Sequence, residues 1–150
     1  MRMLDFQASL ASLDKVLALH PEPKLALEAA KLRGRILLRL GRTADALEAW
    51  AALTKDRPED EELADELVDL QVDEGLYEEA VARLKALISK PGDPYTRANR
   101  LLRSGDILLR LARQPEALNA YAEALGLSAV DSWLEAESLA RMESTFRRED

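Results

Sequence analysis

Small and apolar residues recur along the chain in a pattern that appears three times. Each copy has a small residue, an alanine five positions later and a large residue four positions after that. The copies are spaced 34 and then 37 residues apart, and they comprise Gly41, Ala46 and Trp50; Gly75, Ala80 and Leu84; and Ala112, Ala117 and Tyr121. A repeat of about 34 residues built from helix-compatible residues is typical of an array of helical hairpins.

The residues around each copy predict a helix, a tight turn and a second helix. Before the first turn, Ala30, Gly34 and Leu37 lie four and three residues apart, which places them on one face of a helix. Gly41 supplies the left-handed residue that ends such a helix. The third hairpin opens with Asp93 and Pro94, a capping residue followed by proline at the first helical position.

These hairpins resemble the tetratricopeptide repeat family. The matching positions are Gly34, Ala46, Trp50 and Pro58 in the first repeat, Gly75, Tyr77 and Ala80 in the second, and Gly105, Ala117 and Tyr121 in the third. The resemblance covers about residues 27–129 and implies an all-α helical-hairpin repeat solenoid, a right-handed superhelix with about three repeats and terminal capping helices. Val68 stands where the family has a small residue, so we expect the first helix of the second repeat to pack least tightly.

The spacing predicts one domain over residues 1–150. It contains an N-terminal half repeat at 5–22, repeats at 27–60, 61–94 and 95–130, and a C-terminal capping helix at 131–148. Ser128, with Asp131 three residues later, is the start signal that we expect for the last helix. That helix carries the apolar residues Trp133, Leu134, Leu139, Met142 and Phe146 with polar residues between them, and we expect one of its faces to be exposed to water.

Composition and charge exclude several classes of protein. Apolar residues make up 47% of the chain and charged residues 33%, and no apolar run is long enough to span a bilayer. Cysteine is absent, which removes disulfides and Cys-based zinc sites and favours a cytoplasmic protein. The net charge is −7, and residues 61–94 alone account for it, with ten acidic residues against three basic ones. With no basic stripe and seven scattered aromatic residues, nucleic-acid binding is not expected.

The residues give no indication of catalysis. His20 is the only histidine and precedes Pro21 in a predicted loop, where we expect it to be solvated. No two glycines lie close enough to form a phosphate-binding loop, and no oxygen-ligand loop for a cation is visible. We therefore expect no enzyme activity, no cofactor and no metal.

The resemblance does imply a binding face, because the first helix of each repeat lines the concave side in this family. The exposed positions of those helices form three charged groups along the groove, basic, acidic and mostly basic. They are Lys31, Arg35 and Arg39 (with Glu28 beside them); Glu62, Asp65, Glu66, Asp69 and Asp73; and Asn99, Arg103, Asp106 and Arg110.

Two interpretations of these charges stay open. They pair with one another between adjacent helices, with Lys31, Arg35 and Arg39 facing the acidic group, or they bind a protein or peptide partner of mixed or basic charge. The sequence favours a non-catalytic protein-interaction module. Its alternatives are a repeat segment of a larger regulatory or signalling protein and a co-chaperone-like adaptor. Glu66 would repel the carboxylate that such an adaptor grips, which disfavours the last alternative.

Overall fold

The computed structural model describes residues 3–148, and this part of the chain forms eight α-helices and no strand. The helices are α1 (Met3–Ala18), α2 (Pro23–Arg39), α3 (Thr43–Asp56), α4 (Glu61–Asp73), α5 (Tyr77–Ser89), α6 (Pro94–Arg110), α7 (Gln114–Leu127) and α8 (Trp133–Arg147). The predicted all-α helical-hairpin repeat fold is confirmed. None of the described helices is both long and apolar enough to cross a membrane.

The chain divides into two compact units, one ending at Leu67 and the other beginning at Val68. In the first unit α1 packs on α2, and α2 packs on α3. In the second unit α5 packs on α6, α6 on α7, and α7 on α8. The division falls within α4, so this helix contributes residues to both units.

The turns inside the three hairpins share one hydrogen-bond pattern. A backbone N–H just past each turn donates to a carbonyl five residues back, which satisfies a carbonyl that the helix end leaves free. The donors and acceptors are Arg42 and Leu37 at 2.8 Å, Leu76 and Gln71 at 2.8 Å, and Arg113 and Leu108 at 2.9 Å. This pattern requires a residue with positive φ, and the chain places Gly41 (φ 74°), Gly75 (φ 76°) and Ala112 (φ 56°) there.

Two of the hairpins are held by an aromatic ring that lies against a glycine. A Cβ atom added to Gly34 would lie 1.8 Å from Cζ3 of Trp50, and one added to Gly105 would lie 2.4 Å from Cε1 of Tyr121. Trp50 and Tyr121 are buried. These glycines therefore leave the space that the rings fill.

The hairpin of α4 and α5 reaches the same packing with residues of intermediate size. Val68 takes the glycine position and Leu84 the aromatic position, and both are fully buried in one cluster with Ala80 and Ile107. Leucine is smaller than tryptophan or tyrosine, so it leaves room for the valine side chain. The sequence predicted the loosest packing at this place, yet Val68 has no exposed surface.

The helix starts combine expected and unexpected caps. Asp93 caps α6 as predicted, because its carboxylate accepts the backbone N–H groups of Tyr95 and Thr96. At α8 the expected start signal at Ser128 and Asp131 is wrong. Ser132 is the capping residue, and its hydroxyl accepts the backbone N–H of Glu135 at 3.2 Å. Glu135 in turn accepts the backbone N–H of Asp131 at 2.6 Å, so the two side chains satisfy amides at the helix start.

Helix α8 buries polar as well as apolar side chains. Trp133, Leu139 and Phe146 are all at least half exposed, at 58%, 50% and 54%. The buried residues of this helix are Leu134, Ser138 and Thr145. The two hydroxyls fit a buried face because each donates to the carbonyl four residues before it, at 2.6 Å and 2.7 Å. Of the five apolar residues expected on α8, Leu134 and Met142 pack on the core, whereas Trp133, Leu139 and Phe146 lie on the exposed face.

The contact between Gly34 and Trp50 predicts a large difference between two glycine-to-alanine substitutions. Gly34→Ala should lower the free energy of unfolding by about 1–3 kcal/mol, because the buried indole ring has to move. Gly126→Ala, in α7 with no atom within 4 Å of the added Cβ, should raise it by about 0.5 kcal/mol through helix propensity. Denaturant unfolding of both variants measures the difference. Equal effects would contradict the proposed crossing.

The left-handed backbone at Ala112 predicts a stabilising substitution. Ala112 is exposed, so Ala112→Gly removes no packing and relieves the clash of Cβ with the backbone. We expect the free energy of unfolding to rise by about 0.5–1 kcal/mol, after the greater freedom of glycine in the unfolded chain is subtracted. The same change at exposed Ala122, in the middle of α7, should lower it by a similar amount. A loss of stability at both positions would contradict the left-handed conformation.

Candidate partner-binding surface

The charged residues predicted to bind a partner all lie on the first helices of the hairpins. Those of the first group are on α2, those of the acidic group on α4, and those of the third group on α6. In the first unit, Lys31 donates to Oε1 of Glu66 over 3.5 Å, and the Lys31 side chain is only 12% exposed. Glu66 also accepts the indole N–H of Trp50 at 3.1 Å. One carboxylate thus satisfies both a core ring and a charged lysine.

The remaining residues of the first unit are more open to solvent. Arg35, Arg39 and Glu62 are exposed, and Asp65 is half-buried. Arg35 and Arg39 lie four residues apart on α2, so their guanidinium groups project from one side of the helix. No hydrogen bond or ion pair of either arginine, or of Glu62, occurs within the described part of the chain.

In the second unit the acidic and basic groups meet directly. The Arg103 guanidinium donates to the Asp69 carboxylate, which lies 34 residues earlier on α4. Arg110 donates to the Tyr77 hydroxyl at 3.0 Å and lies 5.6 Å from the centre of the Tyr77 ring, within the range of a cation–π contact. Asp73 and Asn99 are exposed.

Asp106 connects a buried aromatic residue to the last helix. Its Oδ1 accepts the Tyr121 hydroxyl at 2.7 Å and Nε of Arg141 at 2.9 Å. Arg141 also donates to Glu137 on its own helix. Burial, and then the hydrogen bond to Asp106, raise the pKa of the Tyr121 phenol. The phenol therefore stays protonated and keeps donating to the carboxylate.

Sequence reasoning missed Tyr121 and Arg141 as partners of Asp106, although a signal for the ion pair exists. Arg141 follows Asp106 by 35 residues, much as Glu66 follows Lys31 by 35 and Arg103 follows Asp69 by 34. Such pairs can be recognised in the sequence as opposite charges one repeat apart, on the first helices of successive hairpins. Similarly, Arg113, immediately before α7, follows Glu78 of α5 by 35 residues, with Nη1 and Oε2 3.1 Å apart.

Of the twelve predicted residues, seven interact with other residues of the chain, and one of these is half-buried Asp65. Lys31, Glu66, Asp69, Arg103, Asp106 and Arg110 are held by contacts within their own unit. Arg35, Arg39, Glu62, Asp73 and Asn99 are exposed, and no contact of theirs is found between residues 3 and 148. Pairing within the predicted set joins Lys31 with Glu66 and Asp69 with Arg103, whereas Asp106 and Arg110 bind residues outside it. The five exposed residues are available to a ligand.

The described residues offer little other chemistry. No group of three or more histidine, aspartate or glutamate side chains between residues 3 and 148 is arranged to hold a metal ion. His20 is exposed after α1, as expected for a solvated loop residue.

The bond between Tyr121 and Asp106 predicts a pH-dependent loss of stability. Tyr121→Phe should lower the free energy of unfolding near neutral pH by about 1.5–3 kcal/mol, the value of a hydrogen bond to a charged group. The folded state keeps the phenol protonated, whereas the unfolded chain releases the proton above a pH of about 10. The stability of the unsubstituted chain therefore falls as pH rises past that value, and its advantage over Tyr121→Phe should shrink.

Denaturant unfolding as a function of pH measures this difference. Tyr77→Phe is the matched control, because the Tyr77 hydroxyl contacts only an exposed arginine, and it should change stability by about 0.5 kcal/mol or less. A Tyr121→Phe effect that is equally small, or that is constant through alkaline pH, would contradict the assigned bond.

Comparison with known proteins agrees with this arrangement of hairpins. A family model described as tetratricopeptide repeat matches residues 1–62 and 31–94. No curated protein sequence matches the chain.

Several solved structures share the fold. PcrH in complex with the chaperone binding region of PopD is 21% identical, with a TM-score of 0.63 over 86% of this chain and 97% of that one. The Yersinia enterocolitica type III secretion chaperone SycD in complex with a peptide of the translocator YopD is 17% identical, with a TM-score of 0.62 over 83% and 95%. A MamA RS-1 double mutant is 17% identical, with a TM-score of 0.59 over 97% and 87%.

At these identities the solved structures establish the fold alone. The family model goes further, because its two matches together span residues 1–94, well over half of the 150 residues. They include the hairpins in which Trp50 packs on Gly34 and Leu84 on Val68. By this match and by its repeated helical hairpins, the chain belongs to the tetratricopeptide repeat family.

Proposed function

We propose that this chain is a non-catalytic protein-interaction module of the cytoplasm, and that the first helices of its hairpins contact a peptide or helix of a partner protein. The observation that carries the proposal is the set of exposed charges on those helices with no contact inside the described chain. They are Arg35, Arg39, Glu62 and Asp73. Charged side chains that make no contact within the described chain can bind a ligand.

Relatives with this fold support a binding role. PcrH is seen with the chaperone binding region of PopD, and SycD with a peptide of YopD. In both cases the helical repeat fold holds a segment of another protein. We propose that the present chain also binds a segment of another protein, and we do not assign the identity of that segment.

The chemistry of the exposed residues suggests the charge of the partner. Glu62 and Asp73 favour lysine or arginine, whereas Arg35 and Arg39 favour a carboxylate. A segment of mixed charge, or a basic one with acidic flanks, fits both sets. Contacts of this kind at an exposed surface each contribute about 0–1 kcal/mol, so they act mainly on the association rate and on the choice of partner.

The residues with internal partners have a supporting role in this proposal. Lys31, Glu66, Asp69, Arg103 and Asp106 fix the helices that present the exposed charges. A clamp for a C-terminal carboxylate finds less support, because Glu66 already occupies Lys31 and adds a negative charge beside it.

Charge reversal at the exposed acidic positions tests the proposal. The immobilised chain should capture a partner from a lysate of the source cells, and Glu62→Lys with Asp73→Lys should abolish that capture. The matched control is Glu48→Lys with Glu79→Lys, which makes the same charge change at exposed positions on the second helices α3 and α5. It should leave capture intact, and circular dichroism should show equal helix content in both variants.

Salt provides a second measurement. Capture by the unsubstituted chain should weaken markedly near 0.5 M salt, where the Debye length falls to about 4 Å. Capture that survives both the reversal and the salt, or that is lost equally in the control variant, would place binding elsewhere on the molecule.

A further inference from the structure

A trough lies between α1 and α2 in the first unit. A cavity of about 550 Å³ is lined by the apolar side chains Phe6, Leu13, Leu32 and Ile36 and by the arginines Arg35 and Arg39. A second cavity of about 370 Å³ shares Leu13, Leu32 and Arg35 with the first and extends to Val16, Leu25 and one carboxylate, that of Glu28. Both volumes lie in the range of ligand sites in proteins.

The register of the repeats places this trough where the first helix of another hairpin would pack on α1. Ala46, Ala80 and Ala117 are fully buried where the first helix of each hairpin crosses the second. Ser12 lies 34 residues before Ala46, at the equivalent position of α1, yet it is exposed and lines the larger cavity. Helix α1 therefore carries the crossing face of a second helix, and that face is uncovered within the described residues.

The floor of the trough is suited to a close helix crossing. Ala8, Ser9 and Ser12 line it on the α1 side, and none of their side chains is long enough to hold another backbone away. Leu32 on the α2 side is 47% exposed, which leaves apolar surface for a ligand to cover. An incoming helix would bury this surface as α2 buries the equivalent face of α3.

The charges at the rim indicate the chemistry of the occupant. Arg35 and Arg39 lie one turn apart and have no acidic partner in the described chain. The pairs Lys31–Glu66, Asp69–Arg103 and Asp106–Arg141 each join a charge on a first helix to its opposite on the next first helix. By the same rule, a helix placed beside α2 in the trough should carry carboxylates.

We propose that this trough binds an acidic amphipathic α-helix of a partner protein, in the position that a first helix takes in the other hairpins. The bound helix has a small residue over Ser12, an apolar stripe against Leu13, Leu32 and Ile36, and two carboxylates one turn apart that pair with Arg35 and Arg39. This site shares Arg35 and Arg39 with the surface proposed above, but its floor is built by α1, and it does not involve Glu62 or Asp73.

The probe for this site is a display library of amphipathic 17-residue helices, the length of α2 and α6, randomised at the positions that flank the apolar stripe. Selection on the unsubstituted chain should enrich glutamate or aspartate pairs four residues apart. Synthetic peptides of the enriched sequences should gain helix content on binding. They should bind Ser12→Trp at least about tenfold more weakly, because the indole fills the trough.

Adjacent and charge-matched positions provide the controls. Ala11→Trp adds the same ring at an exposed position of α1 outside the trough and should leave binding unchanged. Arg35→Glu with Arg39→Glu should abolish binding of the acidic peptides. Lys15→Glu with Lys55→Glu makes the same charge change at exposed positions outside the trough and should not. Glu62→Lys with Asp73→Lys should leave peptide binding intact, which separates this site from the proposed function. If Ser12→Trp loses helix content, Ala8→Trp replaces it as the blocking variant.

Three results would overturn the proposal. The first is a selection that enriches no helix, or only extended peptides. The second is equal binding to the unsubstituted chain and to the blocking variant. The third is a dimer in analytical ultracentrifugation that the blocking variant dissociates, which would assign the trough to a second copy of this chain.

Discussion

The close crossing of two helices within each hairpin is the constraint on which the rest of this structure depends. Two helices can approach closely only where one of them lacks a large side chain, and the space beyond has to be filled. The chain meets this condition with complementary pairs, Gly34 with Trp50, Val68 with Leu84, and Gly105 with Tyr121. In each pair a smaller residue on the first helix leaves space for a larger one on the second.

This crossing also determines which surface charges are available. A large aromatic side chain at the crossing brings a polar atom to the edge of the core, and that atom requires a hydrogen-bond partner. Glu66 provides it for the Trp50 indole, and Asp106 for the Tyr121 hydroxyl. Each carboxylate in turn attracts a cation, Lys31 or Arg141. Packing in the core therefore fixes part of the charge pattern on the first helices of the hairpins.

The two terminal helices of the described chain, α1 and α8, expose different surfaces. At α1 the crossing face is formed by small residues and remains uncovered, with two arginines beside it. At α8 the buried face carries serine and threonine, and its hydroxyls are satisfied within the helix, while Trp133, Leu139 and Phe146 face outward. Each terminal helix thus exposes surface that an internal repeat would cover, and the α1 surface has the more definite chemistry because charge accompanies it.

The sequence by itself determined the hairpins, because the spacing of Gly41, Ala46 and Trp50 and its two recurrences depends only on local geometry. A left-handed turn residue, a small crossing residue and a large filling residue are each required at a set distance along the chain. The same repeat spacing assigned all twelve candidate residues to the first helices of the hairpins, because the position of a residue within its repeat follows from counting along the sequence. The absence of cysteine also excludes Cys-based metal sites and thiol redox chemistry.

Only the tertiary structure decided which of those charges are engaged. Salt bridges between Lys31 and Glu66 or Asp106 and Arg141 join residues 35 positions apart, and their geometry depends on how successive helices pack. The sequence also did not predict that Ser138 and Thr145 of α8 are buried. Their hydroxyls donate to carbonyls of their own helix, so these two residues pack as small core residues. Periodicity assigns a residue to a face of its helix, whereas the neighbouring helix decides whether that face is covered.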